Sequence, residues 1–226
     1  HRDLHLSIRR QRQMCIRDRF NMLFRFGHIL VGITWIGLLY YFNFVQTEYF
    51  KEAEEDARKD AVAKLAPRAL WWFRWAAFLT FLTGLALLHY ISVKITLEII
   101  LGAVMGTLMM LNVWGIIWPN QKIVIGLKEG DAAVSGPKAA LASRTNTLFS
   151  VGMLYFMVAS AHYPASGQIL GANLEMTGLL VGLAAIFAIE ANAIWGKMLP
   201  AITSVRSVIV SSFVLCIALS SVAYYL

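Results

Sequence analysis

Cysteine is nearly missing from this chain: of 226 residues only Cys15 and Cys216 carry a thiol, too few to organise a fold through disulfides. There is no Cys-x-x-Cys-His, which excludes covalent attachment of a c-type haem, and no His-Glu-x-x-His or paired-cysteine zinc spacing. Gly-rich phosphate loops, internal repeats and low-complexity segments are absent as well. Charge is scarce, with Asp, Glu, Lys and Arg together supplying 15% of the residues. A chain so short of charge cannot coat itself for water as an ordinary soluble domain does.

What fills the space is apolar. Hydrophobic residues make up 58% of the chain and the mean hydropathy is +0.62. Six runs reach the ~20 residues needed to cross a bilayer as a helix: Met22–Phe44, Leu70–Ile91, Ile95–Trp118, Thr145–Tyr163, Leu174–Gly196 and Ser207–Leu226. They are continuous rather than alternating, which favours an all-α bundle over an outer-membrane barrel. The expectation is an integral membrane protein with one six-helix domain over 20–226.

Residues His1–Arg19 stand apart, because they hold six of the twenty Lys+Arg, two of the thirteen Asp+Glu and no apolar period. Without them the formal charge falls from +7 to +3. The run Arg9–Arg19 resembles a translated sequencing-adaptor read, so residues 1–19 are read as an artefactual or disordered leader and Met22 as the start. A basic lipid-binding arm or a malformed signal peptide are the other readings.

Loops on one side of a membrane collect Lys and Arg. Lys51, Arg58, Lys59, Lys64 and Arg68 in the first loop, Lys122, Lys128, Lys138 and Arg144 in the third, and Lys197 and Arg206 in the fifth put eleven on one face. The other face has Arg25 and Lys94 once the leader is set aside. Both termini are therefore expected outward, periplasmic in a bacterial inner membrane. Glu48–Pro67 reads as a charged helical extension with i,i+4 pairs and Pro67 as its stop. Pro119 reads as a helix terminator, and Pro137 as opening a short helix that leads to Arg144.

On the first span His28, Gly32, Trp35, Leu39, Asn43 and Gln46 share one stripe at ~100° per residue. Alternating topology brings His28, His89 and His162, each on a different helix, near the same outer face. Three imidazoles at one depth suit a bis-histidine b-type haem or a copper site, unless each only bonds a carbonyl or headgroup. On the third span Glu98, Gly102, Met105, Met109 and Asn112 line one side, the methionines reading as core and Gly102-x-x-x-Gly106 as a close helix contact.

At the inner face Asn43, Gln46, Asn120, Gln121, Arg144, Asn146 and Glu190 could form a polar pocket for a planar anion, with Asn192 beside them. Glu190 and Lys197, at i,i+7, could pair directly or through a ligand. The bland alternative is a buried pair that sets helix register.

The runs His28–Gln46, Asn112–Lys122, Ala142–Thr147 and Glu190–Lys197 together resemble the membrane domain of the cytochrome c-dependent urate oxidases, also called urate hydroxylases. The resemblance extends over everything from Met22 onward. It implies a membrane enzyme that converts urate to 5-hydroxyisourate with oxygen from water and passes electrons to a c-type cytochrome. In fused members that cytochrome follows the membrane domain; here the sequence ends with the sixth run, so the acceptor is expected from elsewhere. On this reading Arg144 binds urate with help from Asn146, Asn120 and Gln121, Glu190 takes the water proton, and haem b lies near His28, His89 and His162. Expected partners are urate or a similar purine anion, a c-type cytochrome and the bilayer, with no nucleic acid.

The first span, with Trp35-Ile-Gly37 following His28, is also similar to that of membrane protoporphyrinogen oxidases and copper-resistance D transporters. Competing expectations are therefore an electron conduit, a copper transporter using the Met105/Met109 side, or a non-catalytic subunit that docks a cytochrome.

Overall fold

The computed structural model describes the backbone of residues 2–91 and 94–226, and side chains from Ile16 onward within that range. The calls on the leader fall largely on side chains outside the described residues. The chain is all-helical, 85% helix with no strands among the described residues. Its elements are α1 (Arg2–Tyr40), a π-helical turn (Tyr41–Gln46), α2 (Thr47–Glu52), α3 (Glu55–Asp60), a second π turn (Ala61–Leu65) and α4 (Ala66–Tyr90). Then follow α5 (Leu97–Asn112), a third π turn (Val113–Ile117), α6 (Trp118–Val124), α7 (Ala132–His162), α8 (Met176–Trp195), α9 (Pro200–Thr203) and α10 (Val205–Tyr225).

Five stretches are long and apolar enough to cross a membrane: Ile16–Glu52, Glu55–Tyr90, Leu97–Val124, Met176–Trp195 and Val205–Tyr225. α7 equals them in length but is more polar, and it is the axis of the bundle, packed against α1, α5, α6, α8 and α10. Its buried face carries Thr145, Asn146, Thr147 and Ser150. Outward faces are apolar: Ile29 and Ile33 on α1, Leu82 and Leu85 on α4, and Phe213 and Ile217 on α10 are exposed. That surface suits a bilayer and would be a liability in water.

Close contacts fix the helix directions. Gly102 sits so near α7 that an added Cβ would lie 3.2 Å from Phe156 Cβ, and Gly106 faces Met153 and Met157. The expected small-residue contact is therefore present, between α5 and α7 running antiparallel. Gly182 meets Leu101, Gly178 meets Val222 and Leu226, and Gly152 meets Cys216. α8 thus runs with α5 and against α10, while α10 runs with α7. One end of the bundle carries Asn43, Arg144 and Glu190, and the other His28, His89 and His162. At the histidine end the 164–173 loop is clasped to the start of α5 by a Thr96–Ile169 bridge and by Ser166 N donating to Glu98 Oε1 at 2.9 Å.

Proline behaves differently from expectation. Pro67 and Pro119 do not stop helices; each lies in the first turn of α4 or α6 directly after a π turn. Proline lacks an N–H and crowds the preceding turn, and the wider π turn gives it room without ending the helix. Pro137 lies inside α7, which starts earlier, where Asp131 accepts from Ala133 N at 2.8 Å. The charged extension is broken at Ala53, whose backbone is extended. Of its expected pairs, Glu55–Lys59 and Asp60–Lys64 form.

Candidate active site

Asn112 is the last residue of α5, 2% exposed, with both amide protons engaged. Its Nδ2 donates to Asn146 Oδ1 at 2.9 Å and to Glu190 Oε2 at 3.1 Å. Asn146 in turn donates to the Met109 carbonyl at 2.9 Å. The amide chain joins α5, α7 and α8 and sets a carboxylate where apolar neighbours alone would make its charge costly. The i,i+7 relation of Glu190 to Lys197 does not operate, because α8 ends at Trp195 and Lys197 lies exposed beyond it.

A second group lies against α1. Asn43, held in the first π turn, donates to the Leu39 carbonyl at 2.9 Å and to Ser143 Oγ at 2.8 Å. The next residue, Arg144, is 6% exposed, and its guanidinium has a buried nitrogen without any hydrogen-bond partner. The nearby carboxylate whose charge acts on it is Glu48, which is itself bonded by Lys51 at 2.8 Å. A buried guanidinium with unused donors is strongly unfavourable unless an anion completes it. Gln46 Oε1 is likewise buried and unpartnered.

The expected pocket residues fall into two hydrogen-bonded groups that meet at α7. Arg144 and Asn146 point about 160° apart around α7, and Ser143, which Asn43 bonds, lies between them, about 60° from Asn146 and about 100° from Arg144. Asn120 turns back to the Ile116 carbonyl at 2.7 Å, and Gln121 is half-buried on α6. Asn192 closes the end of α8, donating to the Lys197 carbonyl at 3.2 Å and accepting from Lys197 N at 3.3 Å.

The histidines are spread out. His89 and His162 are exposed in the last turns of α4 and α7. His28 is half-buried against α4, its Nδ1 2.9 Å from Thr83 Oγ1 and its ring beside Gly84. Thr83 Oγ1 also reaches the Leu79 carbonyl at 2.8 Å; while it donates there, Nδ1 is the donor to Thr83 and Nε2 is left with its lone pair. In that tautomer Nε2 would be able to ligate iron. Among the described residues no three His, Cys, Asp or Glu are grouped to hold a metal ion.

A sequence model described as urate oxidase N-terminal matches residues 94–219. The chain belongs to the urate oxidase N-terminal family. No curated protein and no solved structure matches it. Within the segment typical of urate oxidase N-terminal domains lie Asn112, Asn120, Gln121, Arg144, Asn146, His162, Glu190 and Asn192; His28, Asn43, Gln46 and His89 precede it. Sequence reasoning left Asn112 and Ser143 out of the site. Asn112 was visible as the polar inner end of the stripe that begins at Glu98, whereas nothing marks Ser143 except its place beside Arg144.

Proposed function

We propose that this chain is the membrane part of a urate-oxidising enzyme that uses water as oxygen donor and a c-type cytochrome as acceptor. Arg144 carries the reading: a buried guanidinium with donors to spare, in a segment of the urate oxidase N-terminal family, calls for an organic anion. Urate is a planar anion at neutral pH. Its conversion adds the oxygen of one water at C5 and releases two protons and two electrons, giving 5-hydroxyisourate.

Arg144 binds and orients the anion from the α1 side of α7. Glu190, oriented by Asn112, takes a proton from the attacking water. A b-type haem held through His28 Nε2 would supply one-electron acceptance. The bundle spans six times, α7 being the enclosed sixth span, with both termini outward, as the excess of Lys and Arg at the other end supports.

The test is anaerobic reduction of added ferricytochrome c by urate, using membranes with and without the protein. Reduction that needs both urate and the chain is the expected result. No reduction above control membranes removes the oxidase reading and leaves a conduit or docking subunit.

A further inference from the structure

The Arg144 group does not use the cations at the neighbouring corner of the bundle. Arg74 on α4 and Lys122 on α6 both lie over the ring of Trp118, Arg74 Cζ at 3.8 Å and Lys122 Nζ at 5.6 Å from its centroid. The ion pairs among the described residues are Lys51–Glu48, Lys59–Glu55 and Lys64–Asp60, so neither cation has a carboxylate. The ring's face, worth about 0.5–1 kcal/mol at exposed sites, answers each charge only weakly. Trp114 Nε1 donates to the Arg74 carbonyl at 3.0 Å and stacks edge-on with Trp75 at 5.4 Å, so this corner is fixed by packing rather than by the charges.

Depth and surroundings define the anion chemistry that suits these cations. From Leu97, the first residue of α5, to Trp118 the helical rise is about 31 Å, the thickness of a bilayer's hydrocarbon core. Trp118 therefore sits at one boundary when Leu97 sits at the other. Beside it on α4, Trp71, Trp72 and Trp75 are 46%, 60% and 38% exposed, as indoles at a headgroup level are. A ligand here has phosphate chemistry at the cations and acyl chains along the indoles and the outer face of α4.

We infer that Arg74 and Lys122 bind the phosphate of an anionic phospholipid at the Lys- and Arg-rich end of the bundle, with Trp118 as the floor of the site. The site is independent of the urate reading, since neither cation belongs to that machinery, and it holds whichever redox chemistry the chain performs.

The test is native mass spectrometry of the full chain purified in detergent and mixed with phosphatidylglycerol or phosphatidylcholine. The intact protein should keep phosphatidylglycerol in preference to phosphatidylcholine. Arg74→Gln with Lys122→Gln should lower that retention about thirtyfold, at roughly one unit of surface-charge attraction per cation. Arg74→Lys with Lys122→Arg keeps both charges and should keep the preference. Lys122→Gln alone, at a half-exposed position where misfolding is not at issue, should lower retention about fivefold. Equal retention of the two lipids by the intact chain, or unchanged phosphatidylglycerol retention in Lys122→Gln, overturns the site.

Discussion

Asn112 and Glu190 are joined by a 3.1 Å hydrogen bond that ties the end of α5 to the inner part of α8. The same amide reaches Asn146 on α7, so one side chain decides how three helices meet. It also decides which way the carboxylate points.

Replacing Asn112 by Ala should therefore cost stability and chemistry together. Loss of hydrogen bonds to a buried carboxylate and amide should destabilise the protein by about 1–3 kcal/mol. A thermal melt in detergent checks this, and an unchanged midpoint would show that the amide chain is dispensable.

Glu190→Gln keeps the shape and an acceptor for Asn112 but cannot take a proton. Its melting midpoint should stay within a few degrees of wild type while urate-dependent turnover falls about 100-fold or more, the usual worth of a general base. Turnover near the wild-type rate would assign the base elsewhere.

Arg144→Ala removes a buried charge that lacks partners, so the fold should not suffer and could gain. The urate KM should rise about 10- to 100-fold, as loss of a charge-assisted contact implies. A large stability loss with unchanged KM would make Arg144 structural.

Gly102→Leu should drive a side chain into Phe156 Cβ and the Met157 backbone. Overpacking of this kind costs about 1–3 kcal/mol, readable as a lowered melting point, and Gly106→Ala, with neighbours at 3.7 and 3.8 Å, should cost far less.

His28→Ala should abolish the pyridine haemochrome of the purified protein, and Thr83→Val, which removes the hydroxyl bonded to Nδ1, should weaken it. An unaltered haemochrome in His28→Ala would move iron ligation to other residues.

Much of the bundle was legible because apolar run length reports directly on spanning helices; the five spanning stretches overlap five of the six expected runs. The stripe through Trp35, Leu39 and Asn43 is buried as its periodicity implied, at 2%, 0% and 4% exposure. α7 was harder to place by hydropathy, since a helix enclosed by others can carry Thr145, Asn146 and Ser150 inward and need not be apolar all round. The hydrogen-bond partners within the polar site were not legible. Depth along a span can be counted from sequence, but the direction in which a residue faces after a π turn cannot, and Gln46 lies at the end of one. Nor does spacing reveal that Asn192 would close its own helix, because that depends on where α8 stops.

The three π turns bear on how the chain can change in length. A turn closed by i→i+5 bonds holds one residue more than an α turn, so deleting one residue from Val113–Ile117 can convert it to regular helix while Asn112 above and Trp118 below keep their places. The same deletion a few residues earlier, between Gly102 and Asn112, would rotate every later contact of α5 by about 100°. The helices of this bundle thus carry built-in slack at Asn43 and beside Asn112, where a one-residue change in length can be absorbed without losing the fold.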